Sequence, residues 1–303
     1  MIKKKKQFKR QKSSPFVNTK HFGVIVILLA SIMWAIEPVL VKLSYQNSDF
    51  LHTSAIRAVF AVLTACVYLL LTRKSPLKVT SKQLPPLIYI AIIGTLVADF
   101  LYYIALTQVP VINAVILGHL QTIFIIILAF FFLKSDKLTT FDYLGISFLI
   151  LSAFLVTTKT LENLFALRFG TIGDLIVLSA TVTWATASIV MKKYINTMDA
   201  GIITFYRFIF ASLFFITYLG MISSLSIANI YQVLIGVIIG IGTILYYEGL
   251  KRLKAAQVSA LELSTPFFAA VLGFFILNET ITLLQILGIS LLFVGVYFIS
   301  KKE

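Results

Sequence analysis

The stretch Ala30-Ser-Ile-Met-Trp-Ala-Ile-Glu-Pro-Val-Leu-Val-Lys-Leu-Ser44 closes an apolar run that begins at Phe22, and it places Glu37 and Pro38 back to back near the middle of that run. A run of this length predicts a membrane-spanning helix, which takes about 20 apolar residues. A carboxylate at the centre of a bilayer costs about 2.5–3.5 kcal/mol on insertion scales. Proline there removes a backbone donor and crowds the preceding turn. A helix that carries both is expected to turn them toward protein or water rather than lipid. A second stretch, Ala180-Thr-Val-Thr-Trp-Ala-Thr-Ala-Ser-Ile-Val-Met-Lys-Lys-Tyr194, repeats the spacing of Trp and Lys but has Ala187-Ser188 in place of Glu-Pro. The chain reads as one module used twice, with ionisable chemistry added to one copy.

Composition agrees with a polytopic membrane protein. Of the 303 residues 59% are hydrophobic and 13% charged, and the mean hydropathy is +0.97. Soluble domains are nearer 45–50% apolar. The net charge of +14 does not point to nucleic acid, because the basic residues gather in short segments between apolar runs. The lone Cys66 lies within such a run and leaves no internal disulfide, and no metal-ligand spacing is present. The basic segment Met1–Lys12 precedes the first run and no small-residue cleavage site follows it, so that run is expected to stay attached as a span.

The span length divides the chain into ten segments: 22–44, 53–71, 87–106, 111–133, 140–158, 173–194, 202–222, 232–250, 255–277 and 281–300. The expected organisation is a basic cytoplasmic tail over 1–21, one five-helix repeat over 22–158, a connecting loop over 159–172, and a second five-helix repeat over 173–300. With the N-terminus in the cytoplasm, 21 of the 26 Lys and Arg fall on the cytoplasmic side, two fall outside and three lie within span ends. That asymmetry places both termini inside and the protein in the cell membrane.

Trp34, Lys42, Arg57, Phe60 and Ala61 recur at a constant offset as Trp184, Lys192, Arg207, Phe210 and Ala211. Tyr102-Tyr103 recurs as Tyr246-Tyr247, and Leu144-Gly-Ile-Ser147 as Leu287-Gly-Ile-Ser290. Five spans per copy is an odd number, so the second copy enters the membrane the other way up. The expected fold is an all-α membrane protein of ten transmembrane helices in two inverted five-helix repeats, with a substrate site near the midplane between them.

The Trp-to-Lys spacing, the Arg early in spans 2 and 7, and Pro266 followed by Asn278-Glu279 and Gln285-Ile-Leu-Gly288 resemble the EamA-type branch of the drug/metabolite transporter superfamily. The resemblance covers about 20–300. In the first half Ile123 replaces the proline, and Lys134-Ser135-Asp136 stands where Leu277-Asn278-Glu279 does. The resemblance implies export or uptake of small metabolites, often amino acids.

Ionisable residues inside spans are few. Glu37, Asp99, His119 and Glu262 fall near span centres and are the candidates for substrate binding or proton coupling, with Trp34, Tyr103 and Tyr247 as aromatic partners. Glu37 is the leading candidate, because an apolar setting disfavours its charge. His119 and Glu262 occupy equivalent repeat positions and are expected to face one cavity as an acid–imidazole pair. Tyr102, Tyr103, Tyr246, Tyr247, Trp34 and Trp184 are expected to line it, offering cation–π contacts. Arg57 and Arg207 lie on opposite membrane sides, shallow enough to snorkel, and read as gate or structural ion pairs. Lys42 reads as a boundary anchor, and Glu248 as a surface ion pair with Lys251 or Arg252.

The function expected is a secondary active transporter of small polar metabolites, amino acids or amines, working by alternating access, in the export direction and with proton coupling. An exchanger or uptake permease for a nucleotide- or cofactor-like metabolite is the alternative, favoured if Arg57 or Arg207 reaches the cavity. An enzyme is not expected, since neither His-Glu-x-x-His nor Gly-x-Ser-x-Gly occurs, and a P-loop is absent as well. No cofactor or metal is expected. The partners expected are a small-molecule substrate and the lipid bilayer, with the chain acting as a monomer or homodimer.

Overall fold

The structure, a computed structural model, describes residues 19–72, 78–133, 140–167, 170–194, 198–222, 226–253, 258, 261–262 and 264–300. Most of the expected basic tail, together with Lys134-Ser135-Asp136, lies outside the described residues. Every described regular element is helical. The first two are α1 (Thr19–Ser44) and α2 (Phe50–Thr72). The third apolar stretch is α3 (Leu84–Tyr89), a π-helix π1 (Ile90–Asp99) and α4 (Phe100–Leu106). Then come α5 (Val111–His119), α6 (Gln121–Leu133), α7 (Thr140–Thr158) and the short α8 (Leu161–Phe165). The later part holds α9 (Ile172–Tyr194), α10 (Ala200–Ile222), α11 (Ile230–Leu250), α12 (Ser264–Leu277) and α13 (Leu283–Ser300).

Six helices are long and apolar enough to cross a membrane: His21–Ser44, Phe50–Thr72, Leu84–Leu106, Ile172–Met191, Ala200–Ile222 and Ile230–Leu250. Four shorter apolar helices accompany them, over Val111–Ile125, Tyr143–Thr158, Ser264–Leu277 and Leu283–Phe298. The chain is thus a multi-pass membrane protein, all-helical and with six clear spans among the described residues. The stretch read as one span over 111–133 is two helices. Its backbone tightens at the junction, where the Leu120 N–H bonds the Leu117 carbonyl at 3.1 Å and the Ile123 N–H bonds the Leu120 carbonyl at 2.9 Å. Such three-residue spacing is the 3₁₀ geometry that marks a break in an α-helix. Inside the expected connecting loop, α8 forms because Thr160 caps it, its hydroxyl accepting from the Asn163 N–H at 3.2 Å.

Packing partners exchange in pairs. Helix α1 packs on α11 as α9 packs on π1 and α4; α2 packs on α11 as α10 packs on π1. Two pairings are their own counterparts, α2 with α10 and α7 with α13. In the latter, the Ser152 hydroxyl donates to the Gly288 carbonyl at 2.6 Å, while Gly295 lies against the Gly145 carbonyl. The two Leu-Gly-Ile-Ser copies therefore meet the opposing helix through their glycines. Without a hydrophobic force between lipid-bathed helices, close contact through small residues does the holding.

In the α2–α11 seam glycine meets backbone directly. A Cβ at Gly236 would sit 2.6 Å from the Arg57 carbonyl oxygen, and one at Gly240 would sit 2.8 Å from Thr64 Cβ. Backbone cannot step aside cheaply, so Gly236 is what lets α11 approach the turn of α2 that carries Arg57.

The end of the molecule at Ser44 is closed by polar contacts between elements far apart in sequence. Asn229 Nδ2 donates to the Ser44 carbonyl at 3.0 Å, and Gln232 Nε2 donates to Ser48 Oγ at 2.7 Å. Gln285 Nε2 donates to Asn113 Oδ1 at 2.7 Å, and Asn113 Nδ2 to Asp174 Oδ1 at 3.2 Å. Gly236→Ala is expected to destabilise the purified protein by about 1–3 kcal/mol, the usual cost of overpacking. Gly220→Ala, with nothing within 4 Å of its added Cβ, is expected to leave the thermal unfolding midpoint in detergent unchanged or raised. Equal midpoints for the two variants would contradict this account of the seam.

Candidate functional site

Between α1, α4, α5, α9, α10 and α11 lies a cavity of about 550 Å³. It runs from the level of Glu37 and Tyr103 toward Lys251 and Leu253, at the end of the molecule opposite Ser44. Trp34, Tyr102, Tyr103, Trp184, Tyr246 and Tyr247 all line it, as do Glu37, Asp99, His119, Arg207 and Glu262. The aromatic residues fall into two matching arms. Trp34 packs on Tyr246 with ring centroids 4.9 Å apart, and Trp184 packs on Tyr102 at 5.1 Å. The Arg57 guanidinium lies over the Tyr103 ring at 4.3 Å, and Tyr247 contacts Arg207.

The charged centre breaks that symmetry. Asp99 accepts from Arg57 Nη2 at 3.1 Å and from Arg207 Nη2 at 3.3 and 3.4 Å, and Trp184 Nε1 donates to it at 2.6 Å. Arg207 also donates from Nε to Thr95 Oγ1 at 2.8 Å and from Nη2 to the Gly94 carbonyl at 3.3 Å. The wide turns of π1 leave the Gly94 carbonyl facing side chains, and Trp184 Nε1 reaches it as well, at 3.2 Å. Segments of π-helix occur most often at functional sites. Glu37 accepts from the Tyr103 hydroxyl at 2.8 Å and stands 3.8 Å from Arg57 Nη1. Two carboxylates and two guanidiniums therefore balance, as charges taken out of water must.

The expectation that Arg57 and Arg207 snorkel at opposite faces is overturned. Arg57 is 0% exposed, and both guanidiniums converge on one carboxylate in the interior. The cause is Asp99 itself, whose position on π1 faces α2 and α10 together. The acid–imidazole pairing is corrected too. His119 and Glu262 share the cavity, but the His119 Nε2 lies 3.1 Å from the Glu262 backbone carbonyl and Nδ1 lies 2.7 Å from the Val115 carbonyl. A neutral ring donates only one of these bonds. The Glu262 carboxylate has no hydrogen bond or ion pair among the described residues.

Lys42 is more than a boundary anchor. Its Nζ lies 3.4 Å from Glu279 Oε1, and the same carboxylate accepts from the Val111 N–H at 2.9 Å and the Ile112 N–H at 3.4 Å. Glu279 thus caps the start of α5, where unpaired amides favour an anion. Asn278, at φ 53°, turns the chain back to put it there. Glu248 pairs with Arg252 and with Lys251, away from the charged centre. Sequence reasoning took Asn278-Glu279 only as a family marker and passed over Thr265. Thr265 follows Glu262 by one helical turn beside Pro266, which is the signal that placed it on the cavity face. Breaking the shared ion pair is expected to cost about 3–5 kcal/mol. The double variant Asp99→Ala/Arg207→Ala should lose less than the sum of the single losses, with a coupling of at least about 1 kcal/mol in thermal or denaturant unfolding. Strict additivity would show that the two do not act as a unit.

Comparison with known proteins agrees with this architecture. An uncharacterized transporter from Synechocystis is 28% identical over 234 residues, covering 72% of this chain and 66% of its own length. An uncharacterized transporter from Methanothermobacter thermautotrophicus is 23% identical over 299 residues, with 92% and 86% covered, and one from Bacillus subtilis is 24% identical over 290, with 91% and 93% covered. A solved crystal structure superimposes with a TM-score of 0.66 over 92% of this chain and 96% of its own, at 13% identity, which shows a shared fold. The profile of the EamA-like transporter family matches twice, over residues 21–158 and 171–301, so the chain belongs to that family.

Proposed function

We propose that this membrane transporter moves small polar metabolites, amino acids or amines, by alternating access, in the export direction and coupled to protons. The observation that carries the reading is the cavity itself. It holds a charge-balanced cluster between helices that come from both family-matched segments. Ionisable groups inside a membrane mark transport paths and proton relays. Two five-helix halves over 22–158 and 173–300, inverted relative to each other, would rock about this cavity. The reciprocal packing of α1 on α11 and of α9 on π1 and α4 supports that arrangement. With both termini in the cytoplasm of the cell membrane, the Ser44 end faces outward and is sealed, and the cavity leads toward the cytoplasm. The symmetry within one chain is sufficient for a functional monomer and compatible with a homodimer.

The anionic-cargo alternative is tied to Arg57 or Arg207 reaching the cavity, and Arg207 does line it. Its guanidinium is engaged by Asp99, Thr95 and the Gly94 carbonyl. That engagement leaves it less available to an anion and supports an amine over a nucleotide-like cargo.

Protein reconstituted in liposomes is expected to accelerate efflux of its cargo when a proton gradient is imposed and to lose that acceleration when an ionophore collapses the gradient. A panel of amino acids and amines screened for thermal stabilisation of the purified protein supplies the cargo, since a ligand that binds only the folded state raises the unfolding midpoint. Glu37→Gln is expected to slow flux at least tenfold, because Tyr103 and Arg57 both orient on that carboxylate. Flux of unchanged rate and pH dependence in this variant would remove Glu37 from the mechanism.

Glu279→Gln weakens the tie between Lys42 and the α5 amides. It is expected to raise labelling of a cysteine placed at Tyr102 by a membrane-impermeant reagent added outside. Unchanged labelling would mean that the Ser44 end is held shut without Glu279.

A further inference from the structure

Of the Glu37, Asp99, His119, Arg207 and Glu262 side chains that line the cavity, four are occupied. Asp99 is held by two arginines and Trp184, and Glu37 by Tyr103 with Arg57 beside it. Both nitrogens of His119 face backbone carbonyls. Only the Glu262 carboxylate lacks a hydrogen-bond or ion-pair partner among the described residues. One helical turn on, Thr265 lines the same cavity. It is 1% exposed, and its Oγ1 has no hydrogen-bond partner. A buried hydroxyl left unpaired costs about 1–3 kcal/mol, so an orphan there is an unfilled position for a donor or acceptor. Across the cavity the ring of Tyr246 feels the charge of Glu262 and packs on Trp34.

We propose that the Glu262 carboxylate is the cation subsite of this cavity, taking in turn a proton or the ammonium head of the cargo. The proposal rests on the transporter reading and names which group the cargo displaces. A half-buried carboxylate in a membrane-embedded cavity, with no counter-charge paired to it among the described residues, is costly to keep charged. With no cargo its counter-charge is a proton. When an ammonium group arrives, the carboxyl O–H bond breaks, the proton leaves to water, and the ammonium N–H groups donate to the carboxylate and to Thr265 Oγ1. The faces of Trp34 and Tyr246 add cation–π attraction. The titratable and charged groups that line the cavity with Glu262 are Tyr246 and Tyr247 on α11 and Lys251 just beyond it, His119 on α5, Asp99 on π1, Tyr102 and Tyr103 on α4, Glu37 on α1 and Arg207 on α10; Lys251 is already paired with Glu248. Glu37 and Arg207 already have opposite charges beside them.

The probe is 2-phenylethylammonium, added to the full chain in detergent and followed by tryptophan fluorescence and by proton release in weak buffer. The neutral 2-phenylethanol and the anionic 3-phenylpropionate are the controls. Binding of the ammonium alone is expected, with affinity rising about tenfold per pH unit through the titration of the site and one proton released per ligand. Glu262→Gln should weaken binding at least tenfold and abolish both the pH slope and the proton release. Thr265→Val should weaken binding severalfold. Gly220→Ala, away from the cavity and with nothing within 4 Å of its added Cβ, should keep the slope and the release. Glu262→Asp, folded by circular dichroism, should keep the slope and guards against misfolding of the amide variant. The proposal is overturned if Glu262→Gln binds with the wild-type slope, if the alcohol binds as tightly as the ammonium, or if millimolar ammonium at alkaline pH does not bind. Binding without flux in liposomes would count against the transporter reading alone. Flux of the probe with an unaltered pH slope in Glu262→Gln would count against the subsite alone.

Discussion

Asp99 carries one negative charge and holds two arginines, and the centre of the molecule depends on that arrangement. Arg57 and Arg207 occupy the same place in the two sequence repeats, so a symmetric protein would drive two like charges together at its axis. At the position that matches Asp99, the second copy has Thr243, buried and neutral. Asp99 therefore absorbs both guanidiniums, and Glu37 supplies the second negative charge. Neither carboxylate has a counterpart, and together they offset what the duplication would otherwise leave unbalanced. Burying a single unmatched guanidinium would cost several kcal/mol, so asymmetry at these two positions is a condition for the symmetric remainder to fold.

The same condition shapes the backbone. Arg57 is enclosed completely, and Gly236 makes the enclosure by letting α11 close over its backbone. On the other side, π1 widens the helix so that the Gly94 carbonyl and the Asp99 carboxylate face α9 and α10 at one level. Tertiary charge contacts accompany this departure from α-helical geometry. Residues 90–99 contain no proline, but Gly94 and Thr95 lie at the middle of the segment and weaken its α-helical preference locally.

Much of this was legible in the sequence, and the limits have physical causes. Hydropathy identified the long helices, because burying backbone in lipid leaves few other choices. It overran at 111–133, where apolar residues continue through a break that only the backbone bonds around Leu120 reveal. Matching Trp, Arg and Tyr-Tyr across the copies found the residues that line the cavity, because a duplicated scaffold sets equivalent side chains at equivalent depths. The pairings were harder to read. Span depth alone put Arg57 and Arg207 at opposite faces, but a long side chain reaches far enough along a helix for both to meet at Asp99. The acid–imidazole pairing expected of His119 and Glu262 is replaced by a contact with the Glu262 backbone carbonyl, which sequence pattern does not encode.

The two ends of the molecule are held by different kinds of contact, and this difference bears on how it works. At the Ser44 end, side-chain amides, Lys42 and Glu279 bridge elements distant in sequence. Water can replace each of these bonds at small net cost, since a typical intramolecular hydrogen bond is worth only about 0.5–1.5 kcal/mol in solution. Between α2 and α11, or α7 and α13, helices meet through glycine, and the Ser152 hydroxyl bond across the second seam is buried away from water. Such seams separate only by opening voids or admitting lipid. On the proposed alternating-access reading, polar closures would break and reform during the cycle while glycine seams stay shut, with motion at the first kind of contact and rigidity at the second.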